Sequence, residues 1–179
     1  VQGALRLRVI QREGGKAMLQ SGGGSLVKLT DSFIETFGEG SAGVVAEQRG
    51  RVELNNTHVK AHGAGEVGAQ LSGGSLLVKG GSIQSENAAA LNISGRDNTV
   101  EIDGAYVGST NGPAIKVDSG AQATINVSNG STLSSNNGKG ELLDLQSDSE
   151  LDLVVDGSFL HGNLTIPEGA LVNVRLQNG

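Results

Sequence analysis

The sequence predicts an all-β chain wound into a right-handed parallel β-helix of six to seven coils, with about 25 residues to the coil. Three observations predict it. One apolar phrase recurs in phase along the chain. Its apolar residues alternate with polar ones at period two. Each copy turns on the same small set of residues.

The phrase is two apolar residues at i and i+2, a polar or glycine turn, then a third apolar residue. Its copies supply Val27, Leu29 and Ile34; Val52, Leu54 and Val59; Leu76, Val78 and Ile83; Val100, Ile102 and Val107; Ile125, Val127 and Leu133; and Leu153, Val155 and Leu160. The first residues lie 25, 24, 24, 25 and 28 positions apart. Between copies runs a further alternating segment: GVVAEQ from Gly43, AALNIS from Ala89, PAIKVD from Pro113 and ELLDLQ from Glu141. Each unit therefore holds two or three short strands.

Period-two alternation marks strands with one buried face. A unit this short, without a helix, cannot bury that face alone, but it can when stacked on its neighbours. At roughly 4.8 Å per coil the stack is a rod about 30–35 Å long. The turn after the second apolar residue reads Thr30-Asp31, Asn55-Asn56, Lys79-Gly80, Asp103-Gly104, Ser128-Asn129 and Asp156-Gly157. Asp, Asn or Gly always stands second, the residues that tolerate positive φ at a sharp corner. Hexapeptide helices, glycine-rich calcium repeats and leucine-rich repeats lack this rhythm. A β-sandwich has strands of similar length but no reason to repeat in phase.

Composition agrees. The 179 residues include 29 Gly, no Cys and no Trp, with one Tyr and three Phe, so short aliphatic side chains must fill the interior. Net charge is -6 and the basic residues are scattered, which argues against a nucleic-acid partner. No stretch approaches the roughly 18 apolar residues of a membrane span. VQGALRLRV at the start lacks the long apolar run of a signal peptide. Without cysteine there are neither disulfides nor thiolate zinc sites.

Little chemistry is legible. Asp144, Asp148, Glu150 and Asp152 crowd together in LLDLQSDSELDL, where the leucines take the inward positions and most carboxylates point to solvent around a turn. The competing readings are a calcium site or a polysaccharide-cleaving carboxylate set. His58 and His62 are four apart, but on a strand His58 faces solvent, His62 falls in a glycine-bounded turn, and the sequence offers no third ligand nearby. His161 has no recognisable nucleophile beside it. No catalytic, cofactor-binding or metal residue is assigned, and no cofactor is expected. The residues between each apolar pair, Lys28, Glu53, Leu77, Glu101, Asn126 and Val154, should form an outward row in which Lys28 can meet Glu53.

Residues 50 to 83, GRVELNNTHVKAHGAGEVGAQLSGGSLLVKGGSI, and residues 112 to 138, GPAIKVDSGAQATINVSNGSTLSSNNG, resemble the passenger domain of pertactin-type autotransporters. GSFLHGNLTIPEGALVNVRLQNG, from Gly157, resembles coils that precede the end of such passengers. The resemblance spans residues 1–179 as one β-helix segment and implies part of a longer passenger. It implies a Gram-negative type V secretion product, held at the bacterial cell surface by an outer-membrane barrel that this sequence does not contain. The tryptophan-bearing coils and the RGD tripeptide of such proteins are not found; Gly95-Arg96-Asp97 has the wrong order. The expected function is non-enzymatic: an adhesin or virulence factor that binds a host protein or matrix component, or mediates self-association. The alternatives are a polysaccharide-active β-helix enzyme and a passive spacer.

Overall fold

The computed structural model describes residues 8–11, 17–40 and 42–179. Of the opening string VQGALRLRV, only Arg8 and Val9 fall within them. The described residues form strands β1 (Arg8–Gln11), β2 (Ala17–Ser21), β3 (Leu26–Thr30), β4 (Phe33–Thr36), β5 (Ala42–Glu47), β6 (Arg51–Ala61), β7 (Val67–Ser72), β8 (Ser75–Ser85), β9 (Leu91–Ser94), β10 (Asn98–Asp103), β11 (Tyr106–Ser109), β12 (Ile115–Val117), β13 (Gln122–Ser128), β14 (Thr132–Ser135), β15 (Leu143–Leu145), β16 (Glu150–Asp156), β17 (Phe159–His161) and β18 (Leu171–Gln177). One short 3-10 segment, Asn136–Gly138, interrupts them.

Every pairing between these strands is parallel. The chain is a parallel β-solenoid of about six turns, with about 25 residues per turn. Its strands line three faces. The first carries β3, β10, β13, β16, β18 and the leading halves of β6 and β8. The second carries β4, β11, β14, β17 and the trailing halves of β6 and β8, with β1 beside β4. The third carries β2, β5, β7, β9, β12 and β15. Two of its members, β7 and β2, fall outside the four alternating segments that begin at Gly43, Ala89, Pro113 and Glu141.

The register matches the sequence repeat residue for residue. Val27, Val52, Leu76, Val100, Ile125 and Leu153 stack on the first face, and Val174 adds a further rung. Leu29, Leu54, Val78, Ile102, Val127 and Val155 form the next column. Ile34, Val59, Ile83, Val107, Leu133 and Leu160 form the column inside the second face. On the third face Val44, Ala69, Leu91, Ile115 and Leu143 stack alongside Ala46, Leu71, Ile93, Val117 and Leu145. These columns are the core, and Leu54, Val78, Ile102, Val127 and Leu133 are wholly buried. Each such side chain contributes about 1.5–3 kcal/mol by leaving water. No aromatic ring joins them. Phe33 is half-buried, and Phe37, Tyr106 and Phe159 are exposed.

The corners behave as their composition requires. Asp31, Asn56, Gly80, Gly104, Asn129 and Gly157 all have positive φ, between 47° and 66°. Asn56 Nδ2 donates to Asp31 Oδ1 at 2.9 Å, Asn129 Nδ2 to Asp103 Oδ1 at 2.7 Å, and Asn178 Nδ2 to Asp156 Oδ1 at 2.7 Å. These three bonds each tie a corner to the one before it. At Gly81 glycine is required twice over: φ is +78°, and a Cβ there would collide with the Thr57 backbone.

A second ladder is hidden inside the next corner. Ser85, Ser109 and Ser135 stack in register, each two residues past the third apolar residue of its phrase, and all are buried. Ser109 Oγ donates to the Ala88 carbonyl at 2.6 Å and accepts from the Gly112 amide at 2.9 Å. Ser135 Oγ donates to the Gly112 carbonyl at 2.7 Å. These hydroxyls satisfy backbone groups that the turn would otherwise leave buried without partners.

Candidate functional site

The outward row on the second face is set by the position just before the third apolar residue of each phrase. In chain order it reads Phe33, His58, Ser82, Tyr106, Thr132 and Phe159. Strand alternation puts these side chains on the outer side of the sheet because Ile34, Val59, Ile83, Val107, Leu133 and Leu160 turn in. His58, Tyr106 and Phe159 are exposed, Phe33 and Thr132 half-buried, and Ser82 is covered by its neighbours. A chain with four aromatic residues thus places three of them in one register row. Tyr106 is 39 % exposed and Phe159 63 % exposed.

The Tyr106 ring lies along the surface. A Cβ on Gly108 would meet the Tyr106 hydroxyl oxygen at 2.7 Å and its ring carbons at 2.8 and 2.9 Å, so the phenol reaches back over Gly108. A Cβ on Gly138 would likewise strike the His161 imidazole. His58 Nδ1 is 2.8 Å from Ser82 Oγ, which also accepts from Gln84 Nε2 at 3.3 Å. Phe33 and His58 rings are 6.5 Å apart and tilted. The flanking row reads Glu35, Lys60, Gln84, Gly108, Ser134 and His161, and His161 Nδ1 lies 3.3 Å from Ser134 Oγ.

Beyond the row, His62 sits where three coils meet. Its Nε2 is 2.7 Å from Glu35 Oε2 and its Nδ1 is 3.0 Å from Glu86 Oε1. Phe37 stacks on the imidazole, with centroids 4.4 Å apart and planes 6° off parallel. Both carboxylates come from neighbouring coils, 27 residues before and 24 residues after, which is why the sequence showed no partner near His62. His58 faces solvent on its strand, as its position predicts, and does not join this cluster. Among the described residues no group of three or more His, Asp or Glu side chains is placed to hold a metal ion.

The acidic turn does not converge. Asp144 projects outward from the third face and accepts from Gln146 Nε2 at 2.7 Å. Asp148 occupies an exposed corner at φ 61°. Glu150 pairs with Arg96 at 2.8 Å, and Asp152 is exposed on the first face. The predicted outward row of the first face is present, with Lys28 Nζ 3.6 Å from Glu53 Oε1. Arg51 Nε donates to Glu53 Oε2 at 2.8 Å. That bond, with the positive charges of Arg51 and Lys28, holds the Glu53 carboxyl below its ordinary value against the opposing effect of burial.

On the third face a shallow groove of about 530 Å³ runs along the rod. Gln70, Asn92, Lys116 and Asp144 stack along one bank, and Asn92 Nδ2 donates to Gln70 Oε1 at 2.6 Å. Asp144 also bounds the adjoining hollow beside Glu141.

The outward column legible in the sequence lies between the apolar pairs; the column F, H, S, Y, T, F before the third apolar residue carries no mark in any single phrase. Aligning all six phrases on Ile34, Val59, Ile83, Val107, Leu133 and Leu160 is the signal that exposes it. No protein-family model matches the chain, and no curated protein matches it.

Proposed function

We propose that the chain is a non-enzymatic recognition rod, the passenger segment of a pertactin-type autotransporter, displayed at a Gram-negative cell surface for adhesion or self-association. The parallel solenoid and the sequence resemblance support the assignment. One observation carries the recognition role: aromatic side chains are absent from the core and three of the four stand outward in one row. A rod that served only as a spacer has no use for exposed rings, whereas aromatic side chains dominate the energetics of recognition surfaces.

The role is tested by displaying the chain on bacteria that otherwise neither clump nor adhere. Settling of the culture and retention on extracellular matrix are then scored. Gain of either behaviour supports the proposal. Failure of both, or turnover of a polysaccharide by the purified chain that is lost in Asp144→Asn or Asp148→Asn, overturns it.

A further inference from the structure

We infer that the second face is a binding platform for an extended, uncharged β-1,4-linked polysaccharide, laid along the rod with alternate sugars stacked on His58, Tyr106 and Phe159. This rests on the recognition role and names its ligand.

Spacing is the first argument. Successive coils place His58, Ser82, Tyr106, Thr132 and Phe159 in one line, so that ring, hydroxyl, ring, hydroxyl and ring alternate. From His58 onward rings recur every second coil, about 9.6 Å apart; the half-buried Phe33 lies one coil before His58 and outside this period. An extended β-1,4 chain turns over at each linkage and presents the same sugar face at every second residue. Its disaccharide repeat closely matches two coil spacings. Each ring therefore meets the same face of every other sugar, and the intervening sugar spans the low ground over Thr132 or over Ser82, which is buried and already bonded to His58 and Gln84.

Orientation is the second. Tyr106 lies across Gly108 instead of standing off the sheet, which leaves a ring face for the C–H groups of a pyranose. Gly108 is the one member of the flanking row without a side chain, and that is what allows the ring to lie down. The phenol hydroxyl has no hydrogen-bond partner among the described residues and is free to meet a sugar hydroxyl. The parallel sheet beneath fixes the backbone that carries all three rings, and Tyr106 is further seated on Gly108 and His58 on Ser82, so little backbone ordering remains to be done on binding.

Charge is the third. The chain carries 19 acidic residues against 13 basic ones. Yet from His58 to His161 the two outward rows hold no carboxylate, and Lys60 is their one residue with a permanent charge. The first face, by contrast, exposes Glu101 and Asp152 in its outward rows. An uncharged lane along an acidic rod suits a neutral chain. A polyanion would find a single lysine there.

Tyr106 is the chain's one tyrosine and there is no tryptophan, so emission excited at wavelengths longer than phenylalanine absorbs reports on this ring alone. The purified chain is titrated with cellohexaose, chitohexaose and, as the α-linked control, maltohexaose. Its retention on microcrystalline cellulose and on chitin is measured in parallel. Tyrosine emission should change with a β-1,4 hexasaccharide and not with maltohexaose. Tyr106→Ala and Phe159→Ala should each weaken retention about tenfold, and Leu77→Ser on the first face should leave it unchanged. Both aromatic variants are surface changes, and their circular dichroism should match the parent. Unchanged emission together with no retention on either polymer overturns the inference, as does retention indifferent to both substitutions. If displayed cells still clump or adhere and Tyr106→Ala abolishes this while neither polymer is bound, the partner is a protein. The glycan inference then fails while the recognition role stands.

Discussion

Asn129 donates its Nδ2 hydrogen to Asp103 Oδ1 across 2.7 Å, linking the corner of one coil to the corner before it. The same residue holds φ at 59°, a left-handed conformation. Asn129→Gly keeps that conformation and loses only an exposed hydrogen bond. Asn129→Val loses the bond and also carries the left-handed penalty, about 1–2 kcal/mol. Valine should therefore lower the urea midpoint clearly more than glycine does. Equal midpoints would show that the corner conformation is not what matters.

Asn98 is fully buried and its side-chain amide lies within hydrogen-bond distance of five backbone groups, its two Nδ2 hydrogens being shared among three carbonyls. Its Oδ1 accepts from the amides of Gly73 and Gly74, at 2.8 and 3.2 Å. Its Nδ2 donates to the carbonyls of Ser94, Gly95 and Gln122, between 2.9 and 3.1 Å. Asn98→Ala strips the Gly73 and Gly74 amides of this acceptor, Gly74 being buried, and should lose about 1–3 kcal/mol. Asn98→Asp sets a carboxylate against three carbonyl oxygens. That environment raises the folded-state value of the new carboxyl above its unfolded one, so the variant is worst at neutral pH and recovers as pH falls. Chemical denaturation at pH 7 and pH 5 checks the direction; greater stability at pH 7 contradicts it.

Ile102 is wholly enclosed between Val78 and Val127. Ile102→Ala should cost about 2–5 kcal/mol through lost burial and a cavity. Ile102→Asp places a charge in the aliphatic column and should abolish the β signal in circular dichroism at pH 7. The same holds for Asp at Leu54 or Val78. Native-like spectra from these variants would refute the register.

Glu53 gives the acid response a local origin. Its folded-state value is depressed below 4.5, chiefly by the hydrogen bond from Arg51. A depressed carboxyl contributes stability that is fully present above its unfolded value. That contribution is lost as pH falls through the lower folded one. Glu53→Gln should therefore flatten the decline in stability below about pH 4.5 and leave the fall at other carboxylates intact. The effect is small, because the pair is partly solvated. A steeper decline in Glu53→Gln than in the parent would reverse the sign.

The fold was legible because three features of the code are local. Alternation picks out the inward residues, the fixed interval stacks Leu54 on Leu29 and under Val78, and the second corner residue reports the sign of φ at Asp31 or Asn56. What escaped the sequence depends on neighbours about 25 residues away. Asn98 looks like one more loop asparagine in SGRDN until the coils on either side deliver their amides and carbonyls. Glu35 and Glu86 reach His62 only through stacking. The row of Phe33, His58, Tyr106 and Phe159 was hidden for a simpler reason. Its members share a position and not a residue type, so no single phrase looks unusual by itself.

The coil that begins at Ile125 is longer than its neighbours. It takes up the excess at the corner before Leu133 and in the 3-10 segment Asn136–Gly138. Pairing resumes without slippage, Leu133 beside Leu160 and Ile115 beside Leu143. Length added at a bend is therefore absorbed sideways and never shifts the rungs beyond it. Such a chain can lengthen or trade its protrusions one at a time while its axis stays fixed, so novelty at one edge leaves every other rung undisturbed.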